Sequence, residues 1–224
     1  MSVQSSKFRD QRPKNKEHVA AILLAAGRSR RMGAFKPLLS FGDKTVVEHC
    51  VKNLRNAGLE QIIVVVGHRA ADVRKQLQDF DLMFALNPDP ESEMSVSIAC
   101  GVESVSRGTK AALIALVDHP AVPSDVTKLL IEQWRLGPSR IIQPEYQGHG
   151  GHPVLIDLAY RDELLNLDPR RGLRTLFDQH RDEVLRLTVE SPFVARDMDT
   201  WEDYVGLHVA VFGTPPGQTG PLNN

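Results

Sequence analysis

The side chains most able to do chemistry lie in one basic stretch, residues 24–37, with the sequence LAAGRSRRMGAFKP. Small residues near its start would let a nucleotide approach the backbone amides closely. Four cationic side chains follow and could hold phosphate groups: Arg28, Arg30, Arg31 and Lys36. The glycine spacing fits neither a dinucleotide-binding G-x-G-x-x-G loop nor a Walker loop. The stretch therefore predicts a phosphate-binding loop of a third type, and the alternative is a solvated basic turn.

Acidic residues at two later places in the chain are of interest. Asp118 follows an apolar run, and Asp197 and Asp199 come just before a helix-start signal at Thr200. Mg²⁺ keeps several waters and takes phosphate oxygens as ligands, so one or two carboxylates can hold it beside a triphosphate. We expect Mg²⁺ at Asp118. The alternatives are a turn at Asp118 and a simple helix cap at Thr200.

Alternating apolar and helical segments must position these side chains. Continuous apolar runs are typical of parallel strands that are covered by helices on both faces. We expect strands at 19–25, 61–67, 82–86, 111–117, 140–146, 152–157 and 183–189, and helices near 45–57, 70–77, 95–105, 123–134, 158, 172–179 and after 200. The predicted fold class is α/β, a three-layer αβα, doubly wound, mostly parallel sheet of Rossmann-like type. Ligands bind at the carboxyl ends of such strands, where the basic stretch and Asp118 fall.

One domain accounts for most of the 224 residues. We expect it over residues 18–210, with a disordered basic tail at 1–17 and a disordered Gly/Pro-rich tail at 211–224. The chain has 27 Lys plus Arg residues and 28 Asp plus Glu residues. It therefore has no net positive charge that would hold the whole chain on nucleic acid. The apolar run 19–26 is far shorter than the roughly 20 residues of a membrane span. We therefore expect neither a nucleic-acid nor a membrane partner.

The expected location is the cytoplasm. The polar leader is long and arginines directly follow the apolar run, whereas less basic sequence normally follows a cleaved signal peptide. The two cysteines, Cys50 and Cys100, stand far apart and without further ligands, which argues against a metal or redox motif. We expect both to be buried free thiols.

The segment LAAGRSRRMGAFKPL resembles the L-A-[AG]-G-x-[SG]-x-R-M-G-x-x-K-x-L motif of nucleotidyltransferases with a MobA-like fold. The resemblance spans residues 19–207. It implies that the loop wraps the triphosphate of an NTP, and that Lys36 and Arg28 are catalytic, with Lys36 neutralising charge at the α-phosphate. A later Ser-aliphatic-x-x-Gly segment is similar to one that contacts the nucleoside in related cytidylyltransferases. The nucleotide-binding residues so implied are Leu24, Ala25, Ala26, Gly27, Arg28, Lys36, Ser97 and Gly101.

Three further segments resemble the molybdenum cofactor cytidylyltransferase branch. Its motifs are N-P-x-x-x-x-G-M-S-x-S, G-x-R-G-H-P-V-L and D-[IV]-D-T-P-E-D-[LY], which match residues 87–97, 148–155 and 197–204. This chain departs from the branch pattern at five positions. Glu93 stands where the branch has Gly, Gly150 where it has Arg, His119 where it has Gln, Met198 where it has Ile or Val, and Trp201 where it has Pro. The resemblance implies acceptor contacts at His152, Arg171 and Arg174, and a second contact to the Mg²⁺ from Asp197 or Asp199. For the two arginines the alternative is a solvated helix face. A zinc site is not expected at His119, His149 and His152.

These features predict a Mg²⁺-dependent nucleotidyltransferase that transfers CMP from CTP to the phosphate of molybdopterin and releases pyrophosphate. No general base is required, because a phosphate nucleophile is already ionised at neutral pH. A molybdoenzyme client is the implied protein partner. The alternatives are a guanylyltransferase that uses GTP, a sugar-phosphate nucleotidyltransferase, and a non-catalytic molybdenum cofactor carrier. The presence of both Lys36 and Asp118 favours an enzyme over a carrier.

Overall fold

A computed structural model of the protein describes residues 18–89 and 91–217. The strands are β1 Val19–Ala25, β2 Ser40–Phe41, β3 Lys44–Thr45, β4 Gln61–Val66, β5 Met83–Leu86, β6 Ala111–Leu116, β7 Ile141–Tyr146, β8 His149–Gly150, β9 Val154–Asp157 and β10 Val184–Thr188. The α-helices are α1 Val46–Asn56, α2 Ala70–Gln76, α3 Met94–Glu103, α4 Ser124–Leu136, α5 Arg161–Leu165, α6 Leu173–Gln179 and α7 Trp201–Phe212.

The main sheet has the strand order β10-β7-β9-β6-β1-β4-β5, with β8 paired to β7. The central strand β1 runs parallel to β4 and β6, and among the described strands of this sheet only β8 and β9 pair antiparallel with their neighbours. Alternate residues of β1 face opposite sides of the sheet. Leu23 packs in the core that includes residues of α1 and α4, whereas Ile22 packs in the core that includes residues of α3, α5 and α6. The predicted α/β fold, mostly parallel with helices on both faces, is confirmed.

A small antiparallel hairpin, β2–β3, was not expected from the sequence. Its turn uses Gly42, whose φ of +65° lies in the left-handed region that favours glycine. Phe41 is fully buried in it and meets the rings of His208 and Phe212 edge-on. The hairpin is therefore tied to α7, whose first turn follows the acids at 197 and 199. Strands this short leave too few residues for an alternating pattern to be recognised.

The last helix extends beyond the predicted end of the domain, and the two cysteines differ in burial. Helix α7 continues past residue 210 to Phe212 and is ended by Gly213 in the left-handed conformation; residues 1–17 and 218–224 lie outside the described residues. Cys50 is buried, and burial raises the pKa of its thiol, but Cys100 is only half-buried. Within the described residues, no helix is long and apolar enough to cross a membrane.

Gly101 brings α3 close to β1, and this contact predicts a stability effect. A Cβ at Gly101 would lie 2.3 Å from Ile22 Cγ2 in the core, whereas a Cβ at Gly206 in α7 would meet only the flexible Arg196 guanidinium. We expect Gly101→Ala to lower the free energy of unfolding by about 1–3 kcal/mol through overpacking. The matched change Gly206→Ala should be neutral or raise it by up to about 1 kcal/mol. Urea unfolding of both variants measures this, and equal effects would contradict the packing role.

Candidate active site

The basic stretch forms a loop at the carboxyl end of β1. Ser29 adopts a φ of +54°, and its hydroxyl accepts a hydrogen bond from the Lys36 backbone N–H at 3.1 Å. Met32 is buried in a separate core that includes residues of β2 and α7. The loop therefore folds back on itself, and Lys36 begins a short 3₁₀ helix, Lys36–Leu38, beside the sheet.

Lys36 is the centre of the site. It is 7% exposed, and its Nζ lies 2.6 Å from Asp199 Oδ1 and 3.7 Å from Asp118 Oδ2. Asp118 follows the end of β6, and its carbonyl accepts the backbone N–H of Met198 at 3.1 Å. This bond holds the segment before α7 against the sheet edge. The Thr200 capping box predicted from the sequence is present and fixes the first turn of that helix.

The carboxylates around Lys36 differ in their surroundings. The hydrogen bond from Lys36 lowers the pKa of Asp199. Burial, with the carboxylates of Asp199 and Asp118 nearby, raises the pKa of Asp197. Asp118 Oδ1 is buried and has no hydrogen-bond partner among the described residues. These acids have the oxygen donors and excess negative charge that a hard divalent cation needs.

This donor set fits a metal that takes most of its ligands from elsewhere. Within the described ranges, no group of three or more His, Cys, Asp or Glu side chains is arranged to hold a metal ion. Mg²⁺ fits this arrangement because it uses few protein carboxylates and completes its shell with water and phosphate oxygens. Asp118 would hold such an ion, together with Asp197 or Asp199.

A cleft of about 230 Å³ opens beside Lys36. One side is formed by the loop after β1 and by the end of β6, and the other by the β5–α3 loop and the start of α3. The lining residues are Leu24, Ala26, Gly27, Ser29, Lys36, Asn87, Asp89, Ser92, Met94, Ser97, Leu116, Val117 and Asp118. The predicted residues Leu24, Ala26, Gly27, Lys36 and Ser97 thus share one cleft with Asp118.

The loop arginines already have acidic partners at the rim of this cleft. Arg28 and Arg30 both form ion pairs with Glu91, which comes from the opposite side, and Arg31 pairs with Asp199. These side chains remain substantially exposed, apart from the better shielded Asp199. Glu91 is therefore the counter-charge of Arg28 and Arg30, and Asp199 is that of Arg31.

Several predicted residues do not line the cleft. Ala25 is fully buried within β1, and Gly101 packs against Ile22. Arg171 precedes α6 and pairs with Asp178, while Arg174 is an exposed residue of that helix. Their binding roles stay predictions, and the structure gives Ala25 and Gly101 a packing role.

His152 lies behind the site. Its ring centroid is 5.5 Å from that of His119, and His119 Nε2 is 3.8 Å from Asp118 Oδ1. Both histidines line a cavity of about 30 Å³ together with Cys50 and apolar residues. Burial, and the neighbouring His119, lower the pKa of His152 to about 4. His152 is therefore neutral at pH 7, and its contact with the site is through His119.

Sequence reasoning missed the importance of the β5–α3 loop. Asn87 is buried and its side-chain amide bonds Ser97 at 2.9 Å, and Glu91 pairs with two loop arginines. Besides the resemblance of residues 87–97 to a branch motif, the signal was that Asn87-Pro88 directly follows a predicted strand, at the sheet edge where ligands bind. Ion pairs between residues about sixty positions apart leave no local pattern.

The comparison with known families agrees with this geometry. Residues 21–184 match the model of the MobA-like NTP transferase domain. The chain belongs to this family. It is therefore a nucleotidyltransferase, in agreement with the prediction made from the loop at 24–37 and from Asp118.

Individual relatives of this MobA-like protein differ in how much of the chain they cover. The molybdenum cofactor cytidylyltransferase of Escherichia coli K12 is 25% identical over 191 residues, or 84% of this chain and 94% of the relative. The bifunctional protein GlmU of Staphylococcus saprophyticus is 32% identical over 114 residues, which is 50% of this chain. That match spans only 25% of GlmU.

Solved structures show the same fold over most of the chain. Rv0371c from Mycobacterium tuberculosis H37Rv is 27% identical with a TM-score of 0.77, covering 87% of this chain and 99% of that one. A structure of Rv0371c in complex with manganese has a TM-score of 0.75. A divalent metal is consistent with the carboxylates found beside Lys36.

The pairing of Glu91 with two arginines predicts an effect on nucleotide binding. The carboxylate competes with the triphosphate for Arg28 and Arg30, so Glu91→Gln should tighten NTP binding about 3- to 10-fold at low ionic strength. The gain should shrink in high salt because the pairs are exposed. Isothermal titration with CTP, UTP, GTP and ATP, without acceptor, measures it.

Glu93→Gln is the matched control for this experiment. It removes the same charge from the same loop, and Glu93 forms no ion pair within the described part of the chain. We expect its NTP affinity to change less than about 2-fold. Weaker binding by Glu91→Gln would show instead that Glu91 holds the two sides of the cleft together around the nucleotide.

Proposed function

We propose that the protein is a Mg²⁺-dependent cytidylyltransferase that joins CMP to the phosphate of molybdopterin. An oxygen of the acceptor phosphate forms the new bond to the α-phosphorus of CTP, and pyrophosphate leaves with the electrons of the broken bond. The relative named molybdenum cofactor cytidylyltransferase supports this assignment, because the match covers 84% of this chain and 94% of that protein.

The observation that carries the proposal is the buried Lys36 ammonium among the carboxylates at the mouth of the cleft. Lys36 stabilises the charge that develops on the α-phosphate oxygens, and the backbone of the loop after β1 holds the other phosphates. Asp118 and an acid at 197 or 199 would hold Mg²⁺, which when bound would offset the negative charge of the phosphate oxygens. No side chain has to remove a proton from the ionised acceptor phosphate.

The remaining roles belong to the same proposal. Arg28 meets the triphosphate at the rim, Ser97 contacts the nucleoside, and His152, Arg171 and Arg174 serve the acceptor. The product is delivered to a molybdoenzyme client in the cytoplasm. A positive charge at Arg171 or Arg174 suits a phosphate-bearing acceptor, and at Arg171 the phosphate would take the place of Asp178.

The test is pyrophosphate release with CTP, GTP, UTP or ATP in the presence of Mg²⁺ and molybdenum cofactor. We expect release with CTP only when the cofactor is present, and loss of release in Asp118→Ala. Asp125→Ala, which removes an exposed acid at the start of α4, is the matched control and should keep full activity.

Other outcomes would assign a different function. Release with GTP in place of CTP would make the protein a guanylyltransferase. A sugar phosphate in place of molybdenum cofactor is the alternative acceptor, and release of pyrophosphate with it would show a sugar-phosphate nucleotidyltransferase. Cofactor binding without pyrophosphate from any NTP would support a carrier and would contradict the proposal.

A further inference from the structure

Within the described residues, the carboxylate of Asp118 is not held by hydrogen bonds of its own. Its Oδ1 has no hydrogen-bond partner, and Lys36 Nζ and His119 Nε2 approach the two carboxylate oxygens only to 3.7 and 3.8 Å. Both distances are longer than a hydrogen bond. The bond from Met198 reaches the backbone carbonyl of Asp118 and not its side chain. The position of this carboxylate therefore depends on the backbone of the turn after β6.

Two side chains of α1 bind the carbonyl groups of that turn. Asn53 Nδ2 lies 3.1 Å from Pro120 O and 3.0 Å from Val122 O. His49, one helical turn earlier on the same face of α1, places its Nδ1 2.9 Å from Pro120 O. The turn that follows Asp118 is thus attached to a helix by side chains.

The direction of these hydrogen bonds is fixed by chemistry. A carbonyl oxygen can only accept, so the group of Asn53 that faces Pro120 and Val122 must be its NH₂. Each of the two N–H bonds serves one carbonyl, and turning the amide over would bring its oxygen against both of them. His49 Nδ1 must carry a proton for the same reason. Asn53 therefore joins two points of the turn, two residues apart.

Asp118 lies between two attached points of the backbone. On its amino side, the Val117 N–H donates to Leu24 O of β1 at 3.2 Å. On its carboxyl side, the attachment is the pair of bonds from Asn53. The first attachment is made by backbone groups, whereas the second is made by a side chain and can be removed by substitution.

We propose that Asn53 is a positioning residue that holds the turn after β6 so that the Asp118 carboxylate meets a divalent cation. The inference rests on the proposed function, in that Asp118 is taken as a metal ligand. Asn53 is not among the residues that line the cleft, so its effect reaches the cation through Asp118. Removing a group that orients a metal ligand typically costs about 10- to 100-fold in metal affinity.

The decisive variant is Asn53→Leu, which keeps nearly the same shape and leaves both carbonyls without their donor. We expect the Kd for Mn²⁺, measured by water-proton relaxation without nucleotide or acceptor, to rise at least about tenfold. The affinity for CTP in the absence of metal should change less than about 2-fold, because the loop after β1 holds the phosphates. A general loosening of the fold would weaken both kinds of binding.

Two further variants complete the experiment. Asn56→Leu makes the same change at an exposed position three residues further along α1, and it should leave the Kd for Mn²⁺ unchanged. Asp118→Ala should weaken Mn²⁺ binding, and adding Asn53→Leu to it should have no further effect, because both changes act through one carboxylate.

The outcomes separate this inference from the proposed function. An unchanged Kd for Mn²⁺ in Asn53→Leu, together with weaker binding by Asp118→Ala, would overturn the inference alone. An unchanged Kd in Asp118→Ala would remove the metal role of that residue, and the inference with it. If Asn53→Leu does not fold, as judged by circular dichroism, Asn53→Asp decides. Its added negative charge would by itself attract a cation, so weaker Mn²⁺ binding supports the positioning role and equal or tighter binding contradicts it.

Discussion

Replacing Lys36 with Met should lower kcat for nucleotidyl transfer about 10²- to 10³-fold, the usual cost of losing one charge-stabilising donor at a transition state. The ammonium is buried and already held by Asp199 and Asp118, so it needs little reorganisation before the reaction. Its charge matters most when negative charge grows on the α-phosphate. The KM for the NTP should therefore change much less than kcat.

The measurement is steady-state pyrophosphate release at saturating NTP, with unfolding curves to verify that the variant is folded. Lys128→Met is the control, because it removes the same charge from the surface of α4, where Lys128 pairs with Asp125. A folded Lys36→Met variant that keeps more than about a tenth of the wild-type kcat would contradict the assigned role. A rise in KM with unchanged kcat would mean that Lys36 only binds the substrate.

The sequence was sufficient to predict the sheet and one side of the cleft. The runs at 19–25, 61–67 and 111–117 are continuous because both faces of these strands are buried, and such runs are visible without knowing their neighbours. The loop after β1 could be located because it directly follows the first strand and contains many small and basic residues. Asp118 followed from its place at the end of another central strand.

The other side of the cleft depended on tertiary contacts. The nucleoside contact that the resemblance implies for Gly101 stays a prediction, and the structure adds a packing role that the sequence did not indicate, since α3 there approaches β1 too closely for a side chain. Glu91 meets Arg28 and Arg30 only after the chain has folded. The antiparallel direction of β9 is also set by tertiary contacts, namely its pairing with β6 and β7. An apolar run has the same sequence pattern in a parallel and an antiparallel strand, so the direction of β9 could not be predicted.

Asp197 and Asp199 have different surroundings in the structure, a difference that the sequence alone does not show. Asp199 is committed to Lys36 and Arg31, whereas burial and nearby carboxylates raise the pKa of Asp197. A divalent cation between Asp118 and Asp197 would relieve the repulsion between like charges that Asp197 now experiences. We propose that Asp197 is the second metal ligand, whereas Asp199, whose Oδ1 lies 2.6 Å from Lys36 Nζ, orients that lysine.

This assignment predicts opposite kinetic effects for two otherwise identical changes. Asp197→Asn should raise the Mg²⁺ concentration for half-maximal activity about 10- to 100-fold, and high Mg²⁺ should restore most of kcat. Asp199→Asn should instead lower kcat at saturating Mg²⁺, because Lys36 loses its closest partner, and leave the metal requirement nearly unchanged. Magnesium titrations of pyrophosphate release, with Asp125→Asn as the surface control, distinguish the two. The reverse pattern would make Asp199 the metal ligand and would leave Asp197 as a buried acid without a direct role.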